Sequence, residues 1–379
     1  MSPLPVLRPT PVDRLPLIEQ ARRAVLGHEG ALAPLAIAPW IERSWRRCLS
    51  SGQAPQQAVG FEAVSAQAAR RAQEASRPLV LAARPVLDQL MRAMAGTRYF
   101  AILTDAQGIV VDVNGPIDRG DRRADLIARV GVDLSERAVG TTAIGAALTE
   151  LQPVWLHRGE HFFAANSVYS CAGAPLFGPH GDCVGMLDLT GVEAPERPEF
   201  KHLVTRSARS IENQLLLGRP HALLLRLSWP GGTAGGDSDG LLTLDAEGRV
   251  LGSNLAARQM LSLSPRTAEG APPLHCADLF ALPWQMLFDG ARQAAAALEA
   301  PLWSGLRLQV LPLTREAALA HDRHRAVAAP VAPMQLKDLE TALIRKAVDQ
   351  TRGNVAEAAR ALGISRATVY RKIGRPGRR

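Results

Sequence analysis

The strongest chemical pattern in this sequence lies near its C-terminal end, where residues 353–373 read GNVAEAARALGISRATVYRKI. A helix that opens on Ser365 and Arg366 would present hydroxyl and guanidinium groups from its first turn. An arginine at that position can pair with O6 and N7 of guanine, and a helix N-terminus can hold a phosphate. The side chains that suit contacts with bases or phosphates are Asn354, Ser365, Arg366, Thr368, Tyr370, Arg371, Lys372 and Arg375.

A helical hairpin is needed to position these groups. Residues 336–350 place apolar side chains at helical spacing, which predicts an amphipathic helix ahead of the hairpin. The Ala-rich stretch 355–362 predicts a short helix that ends at Gly363, and Val369 and Ile373 would face inward from the helix that follows. Two short helices joined by a tight turn can place the second helix in the major groove of DNA. The alternative is a helical hairpin that serves dimerisation alone.

This segment resembles the Fis-type helix-turn-helix that ends many bacterial enhancer-binding regulators. The matching residues are Asp338-Leu-Glu340, Gly353-Asn354, Ala358-Ala359, Leu362-Gly363-Ile364-Ser365-Arg366, Thr368 and Tyr370-Arg371-Lys372. The resemblance implies an all-α DNA-binding domain over 336–379 that works as a dimer on double-stranded DNA.

The distribution of charge points to the same segment. The 379-residue chain has 44 Lys and Arg against 36 Asp and Glu, a formal net charge of +8. Residues 352–379 contain eight basic residues and Glu357 as the sole acidic one, so nearly all of the excess lies there. A cationic segment favours an anionic partner, although a solvated tail is the ordinary alternative.

A second group of chemically capable side chains occurs in the middle of the chain. Aromatic rings alternate there with groups that can form hydrogen bonds, a combination typical of small-molecule pockets. The candidate effector-binding residues are Trp155, His157, His161, Phe163, Asn166, Tyr169 and Cys171. The alternative for each is structural: aromatic rings in an ordinary core, and histidines at the surface or satisfied in the core.

The elements that would hold this group are two β-hairpins and a helix. Residues 99–114 predict two strands around an Asp105–Gly108 turn, and residues 171–189 predict two more around 178–182. The small-residue stretch 140–149 predicts a helix between the hairpins. We therefore expect an α+β domain, an antiparallel sheet with helices on one face.

Residues 35–217 resemble the GAF domain of acetoin-catabolism-type regulators, with its N-terminal helix. The resemblance rests on Gly140-Thr-Thr-Ala-Ile-Gly145, Gly185-Met-Leu-Asp-Leu-Thr-Gly191 and Ile41-Glu-Arg-Ser-Trp-Arg-Arg-Cys48, among other matches. It implies an N-terminal helical region over 1–95 and a sensor domain over 96–217 that binds a small effector. Ser167 follows Asn166 where members often have His, so the effector of this chain need not match theirs.

The remaining sequence predicts a second, PAS-like domain between two linkers. The turn Asp245-Ala-Glu-Gly248 repeats the plan of Asp105–Gly108, and 241–314 resembles the opening of a PAS domain. The composition of 218–240 and of 315–335 predicts linkers. An amphipathic stripe over 198–217 predicts an exit helix that could couple two protomers.

Several function classes are disfavoured by the sequence. No GxxxxGK[ST] motif occurs, so we expect neither ATP hydrolysis nor the σ54 remodelling of regulators that carry a central ATPase domain. No recognisable catalytic motif appears, and four scattered cysteines do not form a metal-binding pattern, so we expect no enzyme, no cofactor and no metal. The lack of a long apolar run predicts a cytoplasmic protein without a membrane partner.

Together these patterns predict a homodimeric, effector-sensing transcriptional regulator that binds DNA and has RNA polymerase as a further partner. The alternative is an accessory protein that pairs with a full-length regulator and modulates it without specific DNA binding of its own.

Overall fold

The computed structural model describes residues 14–27, 37–231, 239–264, 274–292 and 297–317, together with Val348 and Val355. The chain divides into two compact units, Met1–His321 and Asp322–Arg379. The helices and strands below all belong to the first unit, which contains two five-stranded sheets. None of the helices in the described part of the chain combines the length and apolar character needed to span a membrane.

The first domain consists of one antiparallel sheet with helices before, between and after its strands. Its elements are α1 Leu15–Leu26, α2 Pro39–Ser50, α3 Ala66–Ala75, α4 Arg77–Ala93, β1 Tyr99–Asp105, β2 Val110–Asn114, α5 Arg122–Ile127, α6 Glu136–Val139, α7 Ala143–Glu150, β3 Val154–His157, β4 Tyr169–Phe177, β5 Cys183–Val192 and α8 Phe200–Leu217. Two 3-10 turns, Arg158–Glu160 and Ala164–Val168, lie between β3 and β4. The strand order is β2-β1-β5-β4-β3.

Helices cover both faces of this sheet, so the prediction of helices on one face is wrong. The apolar side chains of α1, α2 and α7 pack in one core with one face of the strands. Those of α4 and α8 pack in a second core on the other face. The physical reason is visible in β1, all seven residues of which are buried, because a strand without an exposed face needs cover on both sides.

The N-terminal helices are part of this domain and do not form a separate region. Trp45 of α2 is fully buried, and its indole N–H donates to the carbonyl oxygen of Glu160 at 2.9 Å. Helix α8 also packs inward: Phe200, Val204 and Ile211 are buried against the sheet and α4. The stripe that suggested a coupling helix between protomers is therefore used within the domain.

The second domain is built around another antiparallel sheet. Its elements are β6 Leu223–Ser228, β7 Gly240–Leu244, β8 Val250–Ser253, α9 Leu255–Leu261, α10 Gln285–Arg292, β9 Leu298–Pro301 and β10 Arg307–Thr314, with a 3-10 turn at Cys276–Asp278. The order is β8-β7-β6-β10-β9.

The predicted linker over 218–240 is corrected, because Leu223–Ser228 is the central strand of this sheet. β6 pairs with β7 on one side and with β10 on the other. All six of its residues are buried. The Gly-rich composition that suggested a linker begins only after this strand. The prediction wrongly included the apolar residues 223–228 in the linker.

The first hairpin turns of the two sheets have the same construction. In the first, Asp105 Oδ1 accepts hydrogen bonds from the backbone N–H groups of Gln107 and Ile109, both at 2.9 Å. In the second, Asp245 Oδ1 accepts from the equivalent backbone groups two and four residues later, at 3.0 and 2.7 Å. Both turns end on a glycine with positive φ, +88° at Gly108 and +81° at Gly248. The internal repeat predicted from Asp-Ala-Gln-Gly and Asp-Ala-Glu-Gly is thus present in the backbone.

Contacts join the two domains around the turn that follows β4. The backbone N–H of Ser253 donates to the carbonyl oxygen of Pro179 at 2.9 Å. Arg258 of α9 is buried, donates to the carbonyl oxygen of Ser253 at 2.8 Å and lies over the ring of Phe177. Burial raises the pKa of the neighbouring Glu212 to about 7, and its bond from the Phe177 N–H and the charge of Arg258 oppose that rise. A buried arginine and a buried acid therefore influence each other electrostatically where the domains touch.

Candidate functional site

A cavity of about 30 Å³ lies in the first domain, on the face of the sheet that is covered by α7. Its apolar wall includes Ile102 of β1, Ile127 of α5 and Ile144 of α7, together with Leu134 from the segment before α6. The polar part of the wall comes from the segment between β3 and β4 and from β5. The cavity is therefore small and its accessible wall is apolar, with polar side chains bordering it on one side.

Four of the seven predicted effector-binding residues line this cavity: His161, Asn166, Tyr169 and Cys171. Each is tied to the protein by one polar contact. Asn166 Nδ2 donates to the carbonyl oxygen of Val139 at 3.1 Å, and the Tyr169 hydroxyl donates to that of Arg123 at 3.0 Å. These contacts orient the side chains that form the polar wall.

The other three predicted residues, Trp155, His157 and Phe163, do not line the cavity. Side chains alternate between the faces of a strand, so Trp155 and His157 lie on the opposite face of β3 from the cavity. His157 is buried with Nδ1 2.8 Å from the Ser170 hydroxyl, and Trp155 packs against the core beneath α4 and α8. Phe163 is buried with its ring centroid 5.0 Å from that of Phe162. These three side chains are packed in the protein interior, as the alternative to a binding role predicts.

Helix α1 holds the segment that supplies the polar wall. The Arg22 guanidinium donates to the carbonyl oxygens of Gly159 at 2.8 Å, of Phe162 at 2.9 Å and of His161. Arg14 forms an ion pair with the buried Glu160 at 2.6 Å. Two arginines of the N-terminal region therefore fasten the loop next to the cavity.

Two cavity residues on β5, Asp188 and Thr190, were not among the predicted site residues. The Thr190 hydroxyl donates to Asp188 Oδ2, and Cys171 Sγ lies 3.4 Å from Thr190 Oγ1. The signal was present in GMLDLTGV, since an aspartate and a threonine interrupt an apolar strand. A polar side chain within a buried strand needs a partner, and this is the observation that could have identified them.

The electrostatics of the site favour neutral groups. Burial raises the pKa of the Asp188 carboxyl to about 7, and the hydrogen bond from Thr190 only partly opposes that rise. Burial lowers the pKa of His161 to about 4, so its ring is uncharged at neutral pH. Burial also raises the pKa of the Cys171 thiol well above its ordinary value. A thiol in this state is a weak nucleophile.

The predicted DNA-contacting residues, Asn354, Ser365, Arg366, Thr368, Tyr370, Arg371, Lys372 and Arg375, lie outside the residues that the structure describes. Their roles stay predictions. Within the described ranges, no group of three or more His, Cys, Asp or Glu side chains has an arrangement that could hold a metal ion.

Two family models match the chain. The model described as MimR, N-terminal domain, matches residues 12–213. The model described as Bacterial regulatory protein, Fis family, matches residues 335–375. The first match includes the whole cavity, and the second coincides with the cationic segment.

Two of the similar proteins are named as regulators. The acetoin catabolism regulatory protein of Cupriavidus necator is 33% identical over 243 residues, which are 62% of this chain and 36% of that protein. The propane 2-monooxygenase operon transcriptional activator MimR of Mycolicibacterium goodii is 29% identical over 208 residues, 54% of this chain and 34% of that protein. The chain thus spans about a third of the length of these relatives.

Among solved structures, a chain of the E. coli DhaR(N)–DhaL complex is similar with a TM-score of 0.45 and 16% identity. The similarity covers 73% of this chain and 99% of that chain.

Proposed function

Since the chain belongs to the family of the MimR N-terminal domain, we propose that it is a sequence-specific DNA-binding transcriptional regulator whose first domain senses a small effector. The observation that carries this proposal is the position of the Fis-family match, residues 335–375, on the segment that holds most of the excess positive charge. The names of the relatives, a catabolism regulatory protein and an operon transcriptional activator, support it.

In this proposal the first domain is a GAF-type sensor and the cavity is its effector site. A cavity with a largely apolar wall, bordered by a few buried polar side chains, supports that assignment. The second domain is PAS-like, and its repeat of the Asp-turn-Gly hairpin supports this assignment.

The effector would act through differential affinity for two arrangements of the protein, as linkage requires. Strand β4 begins at the cavity with Tyr169 and Cys171 and ends at the turn that contacts the second domain. Strand β4 therefore connects the cavity with the turn that lies next to Arg258. Acting as a homodimer in the cytoplasm, the regulator would read half-sites about one helical turn apart, roughly 34 Å.

The proposal includes regulation without ATP hydrolysis and without catalysis. No P-loop motif occurs anywhere in the sequence, so σ54 polymerase would not be remodelled by this chain alone. Contact with RNA polymerase in another form is part of the proposal.

The test is selection of genomic fragments by the purified full chain at physiological salt. We expect a palindromic motif. Arg366→Ala should weaken binding to that motif by about 1 to 3 kcal/mol and relax the preference at one base pair, because a base contact is lost. Arg378→Ala, in the basic tail that we expect to contact phosphates, is the matched control, because loss of a phosphate contact changes affinity and salt dependence without changing sequence preference.

Equal recovery of motif and scrambled DNA by the parent chain would contradict the proposal. If the chain bound specifically only when mixed with a full-length regulator, the accessory-protein alternative would replace it.

A further inference from the structure

The exposure of the lining residues shows where the cavity comes nearest to solvent. Of the described residues that line it, all are buried except Phe61 and Thr142, which are partly exposed. Thr142 is fixed at the start of α7, where its hydroxyl accepts from the Gly145 N–H at 3.2 Å. Phe61 belongs to residues 53–64, which lie between α2 and α3 and outside the helices and strands. The lining side chain that can move at this border is therefore Phe61.

Residues 53–64 are held at their two ends and not in the middle. The carbonyl oxygen of Pro55 accepts from a backbone N–H of the loop before β4 at 2.8 Å, and the Val64 N–H donates to the carbonyl oxygen of Gly131 at 2.8 Å. Within the described part of the chain, residues 56–60 form no hydrogen bond with the rest of the domain. No residue of the segment is buried. Segments with few buried contacts open at a lower free energy than the core does.

The ring of Phe61 closes this side of the cavity. Its centroid lies 6.3 Å from that of Tyr169, and the two rings are nearly perpendicular, at 89°. Arg129 Nη2 donates to the carbonyl oxygen of Phe61 at 3.1 Å. Arg129 is exposed, so this contact fastens Phe61 from the surface of the protein. Because the ring is apolar, like the accessible wall, the closed position keeps water out of the cavity.

The loop on the other side of the cavity is held more firmly. Arg22 donates to the carbonyl oxygens of Gly159 at 2.8 Å and Phe162 at 2.9 Å, and Arg14 forms an ion pair with the buried Glu160. Opening that loop would break several contacts to charged groups at once. Movement of residues 53–64 breaks fewer, so it provides the easier path to the cavity.

We propose that small molecules enter the cavity beside Phe61, when residues 53–64 move away from the domain, and that the Phe61 ring closes the cavity after entry. This inference rests on the proposed sensing function and deepens it by naming the entry route and the side chain that controls it. Lids that open and close in this way control access to many buried sites.

Access is measured with Cys171, which lines the cavity, in the full-length chain. The probe is methyl methanethiosulfonate, which transfers a methylthio group to a cysteine thiolate and releases methanesulfinate. All proteins carry Cys183→Ser, so the tryptic peptide that contains Cys171 has no second cysteine. Mass spectrometry then gives the rate of Cys171 modification at one fixed pH. Cys48 is buried in the same domain and does not line the cavity, so its rate reports general loosening of the fold.

Three substitutions change the closure in known directions. Arg129→Ala removes the outer fastening of Phe61 and should speed the modification of Cys171 about three- to tenfold. Phe61→Ala removes the ring and should speed it more than about tenfold. Gly60→Ala should slow it about two- to fivefold, because the added methyl group makes only ordinary contacts and restricts the open segment. Arg122→Ala, also exposed, on α5, is the matched control for Arg129→Ala and should leave the rate unchanged.

Equal rates in Arg129→Ala and Arg122→Ala would overturn the inference, as would a rate in Gly60→Ala that is not below the parent's. So would a parallel rise at Cys48 and Cys171, since it would mean that the whole domain opens. Absence of Cys171 modification in Phe61→Ala would show that the route lies elsewhere. Genomic-fragment selection without any added small molecule keeps these failures distinct from a failure of the proposed DNA-binding function.

Discussion

Replacing Asp188 with asparagine should remove a defined part of the pH dependence of folding. Burial raises the pKa of this carboxyl from its ordinary value of 3.8 to about 7. The folded state therefore binds its proton more tightly than the unfolded state. The stability that follows from this difference is fully present below pH 3.8 and is lost as the pH rises through about 7. The shift is about three pKa units, and one unit corresponds to about 1.4 kcal/mol, so the whole effect is about 4 kcal/mol.

The assay is urea denaturation of the full chain between about pH 5 and pH 8, followed by tryptophan fluorescence. Within this window the parent chain should lose about 3 kcal/mol more stability than Asp188→Asn, because an amide does not ionise. Two other buried acids with pKa values raised to about 7, Glu160 and Glu212, are present in both proteins, so their contributions cancel in the comparison. Asp289→Asn is the control, because Asp289 is exposed on α10.

Parallel pH profiles of the parent and Asp188→Asn would refute this reasoning. They would mean that the carboxyl reaches solvent or an unrecognised cation in the folded state. A profile of Asp289→Asn that departed from the parent would show that the assay reports general electrostatics and not burial.

Two further substitutions test contacts around the site. Arg258→Ala should destabilise the chain by about 1 to 3 kcal/mol, because the buried carbonyl oxygen of Ser253 loses its donor. Arg292→Ala on the exposed surface should cost under about 1 kcal/mol. Equal urea midpoints for the two variants would contradict the role assigned to Arg258. Arg22→Ala should speed hydrogen exchange over residues 158–168, because carbonyl oxygens of that loop lose their donor. Substitution of the exposed neighbour Arg23 with alanine is the control. Unchanged exchange in Arg22→Ala would show that α1 does not hold the loop.

Local signals predicted most of the first sheet. The hairpins over 99–114 and 171–189 formed as expected, because each combines two runs of β-forming residues with a glycine that ends the turn. The helix over 140–149 was also predicted, and the structure starts it at Ala143, after Thr142 caps it by accepting from the Gly145 N–H at 3.2 Å. These features depend on neighbours within a few residues, so they can be read without knowledge of the tertiary structure.

Features that depend on distant partners could not be read in this way. Strand β6 pairs with β10, about 85 residues later. The sequence near 223–228 contains no local signal that identifies this partner strand. The loop residues of the cavity wall were predicted by their mixture of rings and polar groups, but the face on which each side chain lies was not. Trp155 and His157 turned away from the cavity because β3 pairs with β4 in one register and not in the one shifted by a residue.

The sequence by itself determined the family, the cationic Fis-type segment, the hairpins and the loop that borders the cavity, because these follow from residue type and short spacing. Only the tertiary structure decided which side chains share the cavity. It brought Asp188 of β5 beside Asn166 and His161 of the preceding loop and enclosed all three away from water. Burial then set their protonation and left their acceptors without partners. The physical reason is that desolvation and hydrogen-bond satisfaction are properties of an assembled environment, which no single stretch of the chain contains.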